Sequence, residues 1–369
     1  MASSNTATEW TSRAPTRIDL GGGTVDIWPI FHYLDQPLTI NLGISVYARA
    51  RLRLTKQRPV SKITKRAPPL IVLRSRDQAA EARIALRPGW ENTPVGPKLD
   101  LHRKFLHHFL SRSPESVVAN IAELQLETEA ESPAGAGLGG SSTLSISILG
   151  ALNACFGLYQ GPSARLRLVE IARDTETTII QVPAGLQDYF GAAFGGLQLL
   201  RWSTPTHDRQ SLSSALAAEV ADRLELFYSG YSRKSGINNW VLFKKFIDGD
   251  AGVRAQFQSL VDSTNQMAVA LEKRAWRDVG KAIRAEWTTR RKLATGIDTP
   301  EMARAMARAM RAGASATKVC GAGGGGCFFI YFEKPDPRLK EKVARAVLAQ
   351  DPTIRRLPFQ VAAQGLHCQ

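Results

Sequence analysis

The 369-residue chain is long enough to form two domains, each with its own hydrophobic core. Its 44% hydrophobic and 22% charged residues are ordinary for a globular protein and exclude a mainly disordered chain. No segment approaches the roughly 20 consecutive apolar residues of a membrane span, and residues 1–10 lack the build of a signal peptide. We therefore expect a cytoplasmic protein with no membrane partner.

The net charge of +15 indicates attraction to anions, which leaves two kinds of partner to weigh. Nucleic-acid binding would need a continuous basic stripe. The densest basic run, residues 56–66, has prolines nearby and no interleaved aromatic residue, which is typical of a solvated loop (Lys56, Arg58, Lys62, Lys65, Arg66). An anionic small molecule such as a phosphorylated sugar accounts for the charge equally well, and we expect no nucleic-acid partner.

In the first half of the chain, hydrophobic patterning predicts mostly strands. Residues 44–54 alternate between apolar and largely basic positions, which is the pattern of a half-buried strand. Residues 70–74, 83–87 and 121–129 are predicted as further strands. Residues 98–112 carry apolar side chains at helical spacing and are predicted as a helix.

The second half is predicted to be mainly helical, with a few strands between the helices. Helices are predicted over residues 144–158, 164–177, 252–296, 300–311 and 338–349. Strands are predicted over residues 195–202, 224–229, 327–333 and 359–363. This mixture of strands and helices predicts an α+β fold.

The most informative segment is residues 133–143, Pro-Ala-Gly-Ala-Gly-Leu-Gly-Gly-Ser-Ser-Thr, here called the glycine loop. Glycines let several backbone N–H groups point at one anion, and the helix that follows adds the positive end of its dipole. The hydroxyls at positions 141–143 can cap the helix or reach a phosphate and its magnesium ion. The segment therefore predicts a phosphate-binding loop, with a plain glycine turn before a core helix as the alternative.

Two better-known nucleotide motifs are excluded. The Walker A motif needs Lys directly after its last glycine, and here Gly140 is followed by Ser141. The pattern Gly321-x-Gly323-x-x-Gly326 matches a dinucleotide fingerprint, but residues 327–332 favour a strand where that motif must open a helix. Neither a P-loop nor an NAD site is expected.

Three segments together resemble the GHMP kinase family of galactokinase, homoserine kinase, mevalonate kinase and phosphomevalonate kinase. The first motif is residues 13–26, the second is the glycine loop, and the third is residues 318–327. The triple glycine followed by Thr and Asp in the first motif is most similar to bacterial heptose 7-phosphate kinases and fucokinase-like enzymes. Galactokinases have Gly-Glu-His where this chain has Gly22-Gly23-Thr24, which makes galactose a doubtful acceptor.

The resemblance implies a two-domain α+β fold. Its N-terminal domain would resemble domain 2 of ribosomal protein S5 and its C-terminal domain would be ferredoxin-like, with the active site between them. We place these domains at residues 1–205 and 206–369 and expect a monomer or a homodimer.

The resemblance also implies how ATP and Mg²⁺ would be held. The ATP-binding residues all lie in the glycine loop (Pro133, Gly135, Ala136, Gly137, Leu138, Gly139, Gly140, Ser141, Ser142). Ser141 and Glu176 would be the magnesium ligands, because a hydroxyl and a carboxylate suffice when phosphates complete the shell. Read without the motifs, Glu176 would be a solvated helix residue.

For catalysis, the resemblance assigns Asp188 as the group that deprotonates or orients the attacking hydroxyl and Arg17 as its basic neighbour. A purely structural ion pair between the two would look the same in the sequence. Five residues are assigned to the acceptor substrate by the same matching (Asp26, Thr24, Gly23, Gly323, Gly324).

The expected activity is therefore ATP- and Mg²⁺-dependent phosphorylation of a hydroxyl, the anomeric one, on a sugar or sugar phosphate such as a heptose 7-phosphate. The alternatives are a fucokinase- or galactokinase-like sugar kinase, another small-molecule kinase of the family, and a non-enzymatic sugar and ATP sensor. Residues 229–235 are a further candidate for the substrate pocket, with Arg233 or Lys234 meeting a sugar phosphate, or else a surface turn.

Overall fold

The computed structural model describes residues 7–57, 68–232 and 237–369. Up to residue 211 its strands are β1 Ala7–Gly21, β2 Leu38–Lys56, β3 Leu70–Ser75, β4 Ala80–Ala85, β5 Ile121–Ala130, β6 Leu197–Arg201 and β7 Asp208–Ser211. Its helices over the same part are α1 Asp100–Leu110, α2 Glu115–Ala119, α3 Gly140–Phe156, α4 Ala164–Ile180 and α5 Gln187–Phe194.

The rest of the chain is richer in helix. It contains α6 Ser214–Ala221, β8 Leu224–Tyr228, α7 Ile237–Ile247, α8 Ala251–Glu272, α9 Trp276–Leu293 and α10 Pro300–Ala312. These are followed by β9 Ala316–Val319, β10 Cys327–Tyr331, α11 Pro337–Leu348, β11 Arg355–Leu357 and β12 His367–Cys368. Among the described helices, none is long and apolar enough to cross a bilayer.

The first sheet is eight-stranded: six strands follow the order β12-β1-β2-β5-β3-β4, β6 also pairs with β2, and β7 pairs with β6. Its centre is the long antiparallel pair β1 and β2, in which Trp10 lies opposite Leu52 and Ala14 opposite Ala48. Along β2, residues 48–54 alternate between buried and exposed positions, as the sequence pattern predicts. The buried face packs on α3, where every residue from Ser142 to Leu152 is buried.

The second sheet is four-stranded and antiparallel, in the order β11-β8-β10-β9. Along the chain its elements run strand, helices, strand, strand, helix, strand, which is the ferredoxin-like arrangement. The predicted α+β fold with two differently built parts is therefore confirmed. The boundary near residue 205 remains a prediction, and β7 and β12 pair with the first sheet although they lie beyond it.

One predicted strand is wrong. Residues 359–363 form no strand, and Val361 makes only an isolated bridge to Ile44. The sequence pattern also did not identify β1, which carries the first motif, or α5, which carries Asp188. Arg58, Lys62, Lys65 and Arg66 of the basic run, and Arg233 and Lys234 of the proposed substrate loop, lie outside the described residues.

Candidate active site

A cleft of about 720 Å³ lies beside the glycine loop, and residues of all three motifs line it. Ser142, Glu176 and Asp188 contribute to its lining, and the third motif contributes Gly321 and Ala322. The volume falls within the ~300–1,000 Å³ usual for small-molecule sites. The cleft is therefore the candidate site for both nucleotide and acceptor.

The backbone of the glycine loop has a conformation that favours glycine and is held by the second half of the chain. Gly137 and Gly139 both have φ of 76°. A Cβ atom at position 137 would lie 2.6 Å from the main-chain oxygen of Cys320, in the third motif. The amide of Cys327 donates to the main-chain oxygen of Ala136 at 2.7 Å. The third motif therefore packs directly on the glycine loop through main-chain atoms.

The loop leads into the start of α3, which begins at Gly140. Gly139 is the N-cap residue, and no side chain caps this helix end. The first N–H groups of a helix have no partner within the helix, and they lie at the positive end of the dipole. Both features suit an anion in the cleft, so the loop and helix fit the phosphates of a nucleotide.

Glu176, the predicted metal ligand, is buried near the end of α4 and lines the same cleft. Tyr189 donates a hydrogen bond of 2.5 Å to Glu176 Oε2. Burial raises the pKa of Glu176, and its hydrogen bonds with Ser141 and Tyr189 oppose that rise. The structure thus brings together the two predicted magnesium ligands, Ser141 and Glu176.

This donor set fits Mg²⁺ bound together with phosphate. Within the described parts of the chain, no cluster of three or more His, Cys, Asp or Glu side chains could hold a metal by itself. Mg²⁺ keeps several water ligands and is commonly bound by one or two protein oxygens plus substrate phosphates. One carboxylate and one hydroxyl beside the glycine loop meet that requirement.

Arg17 and Asp188 form an ion pair next to the glycine loop. Arg17 Nη2 lies 2.5 Å and Nε 2.9 Å from Asp188 Oδ1, and Nη1 donates to the main-chain oxygen of Gly137 at 2.9 Å. The Arg17 side chain is 3% exposed, whereas that of Asp188 is 27% exposed and lines the cleft. Although burial opposes it, the carboxylates of Asp188 and Asp19 raise the pKa of Arg17 above its ordinary value. The guanidinium therefore stays charged and orients Asp188 toward the cleft.

Asp26, predicted to bind the acceptor, is 2% exposed and also lines the cleft. Its Oδ2 accepts a hydrogen bond of 2.9 Å from the amide of Gln187. Burial raises its pKa to about 6; the bond from Gln187 opposes this rise, and the negative charge of Asp188 adds to it. Gly23 and Thr24 lie in the lining beside it, so these three predicted acceptor residues are together.

The two other predicted acceptor residues are not in the lining. Gly324 donates its amide to the main-chain oxygen of Ile297 at 2.8 Å, and Gly323 is packed against the same residue. Gly321 and Ala322 face the cleft instead. The third motif therefore contributes to the site through residues two positions earlier in the sequence than predicted.

Sequence reasoning missed Tyr189, which holds the predicted metal ligand, and Gln187, which holds Asp26. Both flank Asp188 at the start of α5. Their position beside a predicted catalytic residue was the available signal. Their partners could not be read from the sequence, because Gln187 and Asp26 are 161 residues apart.

Comparison with known families matches both halves of the chain. Residues 101–196 match the family model described as the GHMP kinases N-terminal domain, and residues 267–351 match the one described as GHMP kinases C terminal. The two matches include the glycine loop and the third motif, which contact each other in the structure.

Three similar proteins illustrate the relationship. The D-glycero-alpha-D-manno-heptose 7-phosphate kinase of Campylobacter jejuni is 22% identical over 353 residues, covering 94% of this chain and 96% of that protein. The L-fucokinase/L-fucose-1-P guanylyltransferase of Bacteroides fragilis is 24% identical over 93% of this chain, which spans only 36% of that protein. The crystal structure of a D-glycero-D-manno-heptose 1-phosphate kinase from Bacteroides thetaiotaomicron superposes with a TM-score of 0.70 at 21% identity, covering 98% of each chain.

Proposed function

Because the chain belongs to the GHMP kinase family, we propose that it transfers the γ-phosphoryl group of ATP to a hydroxyl of a sugar or sugar phosphate. The Campylobacter jejuni relative, a heptose 7-phosphate kinase, supports a heptose 7-phosphate as the first acceptor to test. We propose the anomeric hydroxyl of that acceptor as the site of phosphorylation. The similarity to that relative extends over nearly the full length of both proteins, which supports a shared type of reaction.

The observation that carries the proposal is the Arg17–Asp188 ion pair, placed on the same cleft as the glycine loop. Phosphoryl transfer needs positioning and electrostatic stabilisation more than covalent chemistry from the protein. Asp188 lies close to Gly139, since a Cβ atom there would be 3.2 Å from the Asp188 carboxyl carbon. A hydroxyl bound at Asp188 would therefore lie next to the loop that receives the phosphates.

We assign the following roles to the chain's own groups. Both hydrogen bonds from Arg17 to Asp188 end on Oδ1, which leaves Oδ2 to accept the proton of the acceptor hydroxyl. As that hydroxyl oxygen bonds to the γ-phosphorus, the bond from the γ-phosphorus to the β-phosphate oxygen breaks and ADP leaves. The two hydrogen bonds from Arg17 orient the carboxylate. The backbone N–H groups of the glycine loop and of the first turn of α3 bind the phosphate oxygens.

Ser141 and Glu176 would hold a magnesium ion, and Tyr189 would orient the Glu176 carboxylate. When bound, Mg²⁺ supplies charge neutralisation at the phosphates. On the acceptor side, Asp26 accepts hydrogen bonds from substrate hydroxyls, and Gly23 and Thr24 form the adjacent backbone surface.

The test is release of ADP from Mg-ATP by the purified full chain with a panel of acceptors: D-glycero-D-manno-heptose 7-phosphate, L-fucose, D-galactose and mevalonate. We expect turnover with the heptose phosphate. The variant Asp188→Asn should lose ~10²–10⁴-fold in kcat and keep its affinity for ATP, whereas Asp174→Asn, whose side chain is 65% exposed, should match the wild type.

L-Fucose is the second candidate, because the Bacteroides fragilis relative matches 93% of this chain. Turnover with fucose alone would contradict the heptose phosphate as acceptor and would still support the assignment as a sugar kinase. ATP binding without ADP release from any acceptor would contradict catalysis and favour a sensor.

A further inference from the structure

Four buried charged side chains, two carboxylates and two cations, form a cluster beside the turn of the first motif. Asp19 is on β1, Lys318 is on β9 at the start of the third motif, and Glu286 and Arg290 are one turn apart on α9. None of the four residues is more than 2% exposed. They join the first sheet to the second sheet and its helices.

The ammonium group of Lys318 lies between the two carboxylates. Its Nζ donates to the main-chain oxygen of Asp19 at 2.9 Å and lies 3.1 Å from Asp19 Oδ2. The same Nζ is 3.7 Å from Glu286 Oε1. Although burial acts to raise it, the positive charges of Lys318, Arg290 and Arg17 lower the pKa of Asp19. Asp19 therefore remains ionised.

A second branch of contacts runs from Glu286 to the first motif. Arg290 donates from Nε and Nη2 to Glu286 Oε1 at 2.8 and 2.6 Å, and its Nη2 also donates to the main-chain oxygen of Gly23 at 2.9 Å. Gly23 lies directly against Asp19, since a Cβ atom at position 23 would be 2.4 Å from Asp19 Oδ2. Both branches therefore end at the turn of residues 21–26, which presents Thr24 and Asp26 to the cleft.

Stability alone is a poor explanation for this cluster. Buried ion pairs cost desolvation energy and are often replaceable by apolar residues without loss of stability. Within the described part of the chain, Asp19 Oδ1 and Glu286 Oε2 have no hydrogen-bond partner. Each of the two carboxylates therefore keeps at least one buried oxygen without a hydrogen bond. What it does fix is the position of one turn relative to the second sheet.

We infer that Lys318 is a positioning residue for the acceptor: through Asp19, and through Glu286 and Arg290, it holds residues 21–26 in the shape that acceptor binding requires. This inference rests on the proposed function. Lys318 is fully buried, and its ammonium group contacts Asp19 next to the turn. Its loss should therefore affect the acceptor and leave the nucleotide side, which is formed by the glycine loop and α3, unchanged.

The test begins with the wild-type chain and its best acceptor, followed by Lys318→Met. We expect the KM for the acceptor to rise on the order of 10- to 100-fold, with the KM for ATP unchanged. The matched control is Val319→Ala, at the next position of β9 and also fully buried. It should lower the thermal unfolding temperature and leave both KM values unchanged.

A double variant separates positioning from folding. Asp19→Asn combined with Lys318→Met removes one buried anion and one buried cation, so it should recover stability lost by the single variant while the acceptor KM stays raised. Two results would overturn this inference and leave the proposed function intact. One is an acceptor KM in the double variant equal to that of the wild type, and the other is an equal rise of the KM values for ATP and for the acceptor in Lys318→Met. A wild type without turnover on any acceptor would overturn the proposed function and this inference together.

Discussion

The Tyr189 hydroxyl donates to Glu176 Oε2 at 2.5 Å, so α5 and α4 are joined at the proposed magnesium ligand. Tyr189 directly follows Asp188, the proposed base, in α5. The first turn of this helix therefore carries both the proposed base and the side chain that contacts the proposed metal ligand. Burial and the adjacent Glu176 carboxylate raise the pKa of Tyr189 well above its ordinary value, so the phenol remains a hydrogen-bond donor.

Removing this hydroxyl should weaken metal binding. We expect Tyr189→Phe to raise the Mg²⁺ concentration needed for half-maximal activity by ~10- to 100-fold, because partners that orient a metal ligand carry effects of that size. A titration of ADP release against Mg²⁺ at saturating ATP measures it. The control is Tyr331→Phe, which removes another Tyr hydroxyl, bonded to the main chain of Trp276 at 2.8 Å away from the cleft. An unchanged Mg²⁺ dependence in Tyr189→Phe would argue against Glu176 as a ligand.

Two glycines with the same backbone conformation offer a test of the phosphate-binding loop. Gly139 and Gly96 both have φ of 76°, so alanine at either position costs roughly 1–2 kcal/mol of backbone strain. Only at Gly139 would the new Cβ meet neighbours, 3.2 Å from atoms of Asp188, whereas Gly96 has open space around it. Gly139→Ala should lose ATP affinity and turnover, and Gly96→Ala should lose only a similar amount of stability. Calorimetric ATP titration and urea unfolding distinguish them; equal ATP affinity in both variants would contradict the loop assignment.

The raised pKa of Asp26 predicts an acid limb in the rate profile. Ionised Asp26 is the form that accepts hydrogen bonds from acceptor hydroxyls, so kcat/KM for the acceptor should fall about tenfold per pH unit below pH 6. Asp26→Asn should be slower at pH 8 and should lack this limb. The measurement is kcat/KM for the acceptor between pH 5 and 8 at saturating ATP. An identical acid limb in the variant would assign the titration to another group.

Burial of Asp26 should also lower the free energy of unfolding at neutral pH. The pKa of Asp26 rises from 3.8 to about 6 on folding, so the folded protein binds this proton more tightly than the unfolded chain. Its contribution to the free energy of unfolding therefore falls between pH 4 and 6, by about 3 kcal/mol in total. Asp26→Asn should be more stable than the wild type at pH 7.5 by up to that amount and equal to it near pH 3.5. Urea unfolding at both pH values tests this, and a variant that is less stable at pH 7.5 would contradict it.

Much of this architecture could be predicted from local sequence patterns. The alternation in residues 48–54 correctly identified the core strand β2, because one face of that strand packs on α3. The Gly-rich segment before an apolar run correctly identified the loop and the start of α3. In both cases the information lies within a few neighbouring residues.

What could not be predicted depends on contacts between distant parts of the chain. Asp19 and Lys318 are 299 residues apart, and in isolation each would be read as a surface charge. Residues 359–363 are predicted as a strand, yet only Val361 makes a bridge, to Ile44 of β2. Strand formation there was decided by tertiary pairing and not by local propensity.

The contact between Ala136 and Cys327 has a consequence for how such an enzyme could change over time. The glycine loop is held by main-chain groups of a segment about 190 residues later, and Gly137 has no space for a side chain against Cys320. A change that shifts the backbone at Cys320 or Cys327 would therefore also shift the glycine loop. We therefore expect the two stretches to tolerate change only together, with a backbone shift in one matched by a shift in the other.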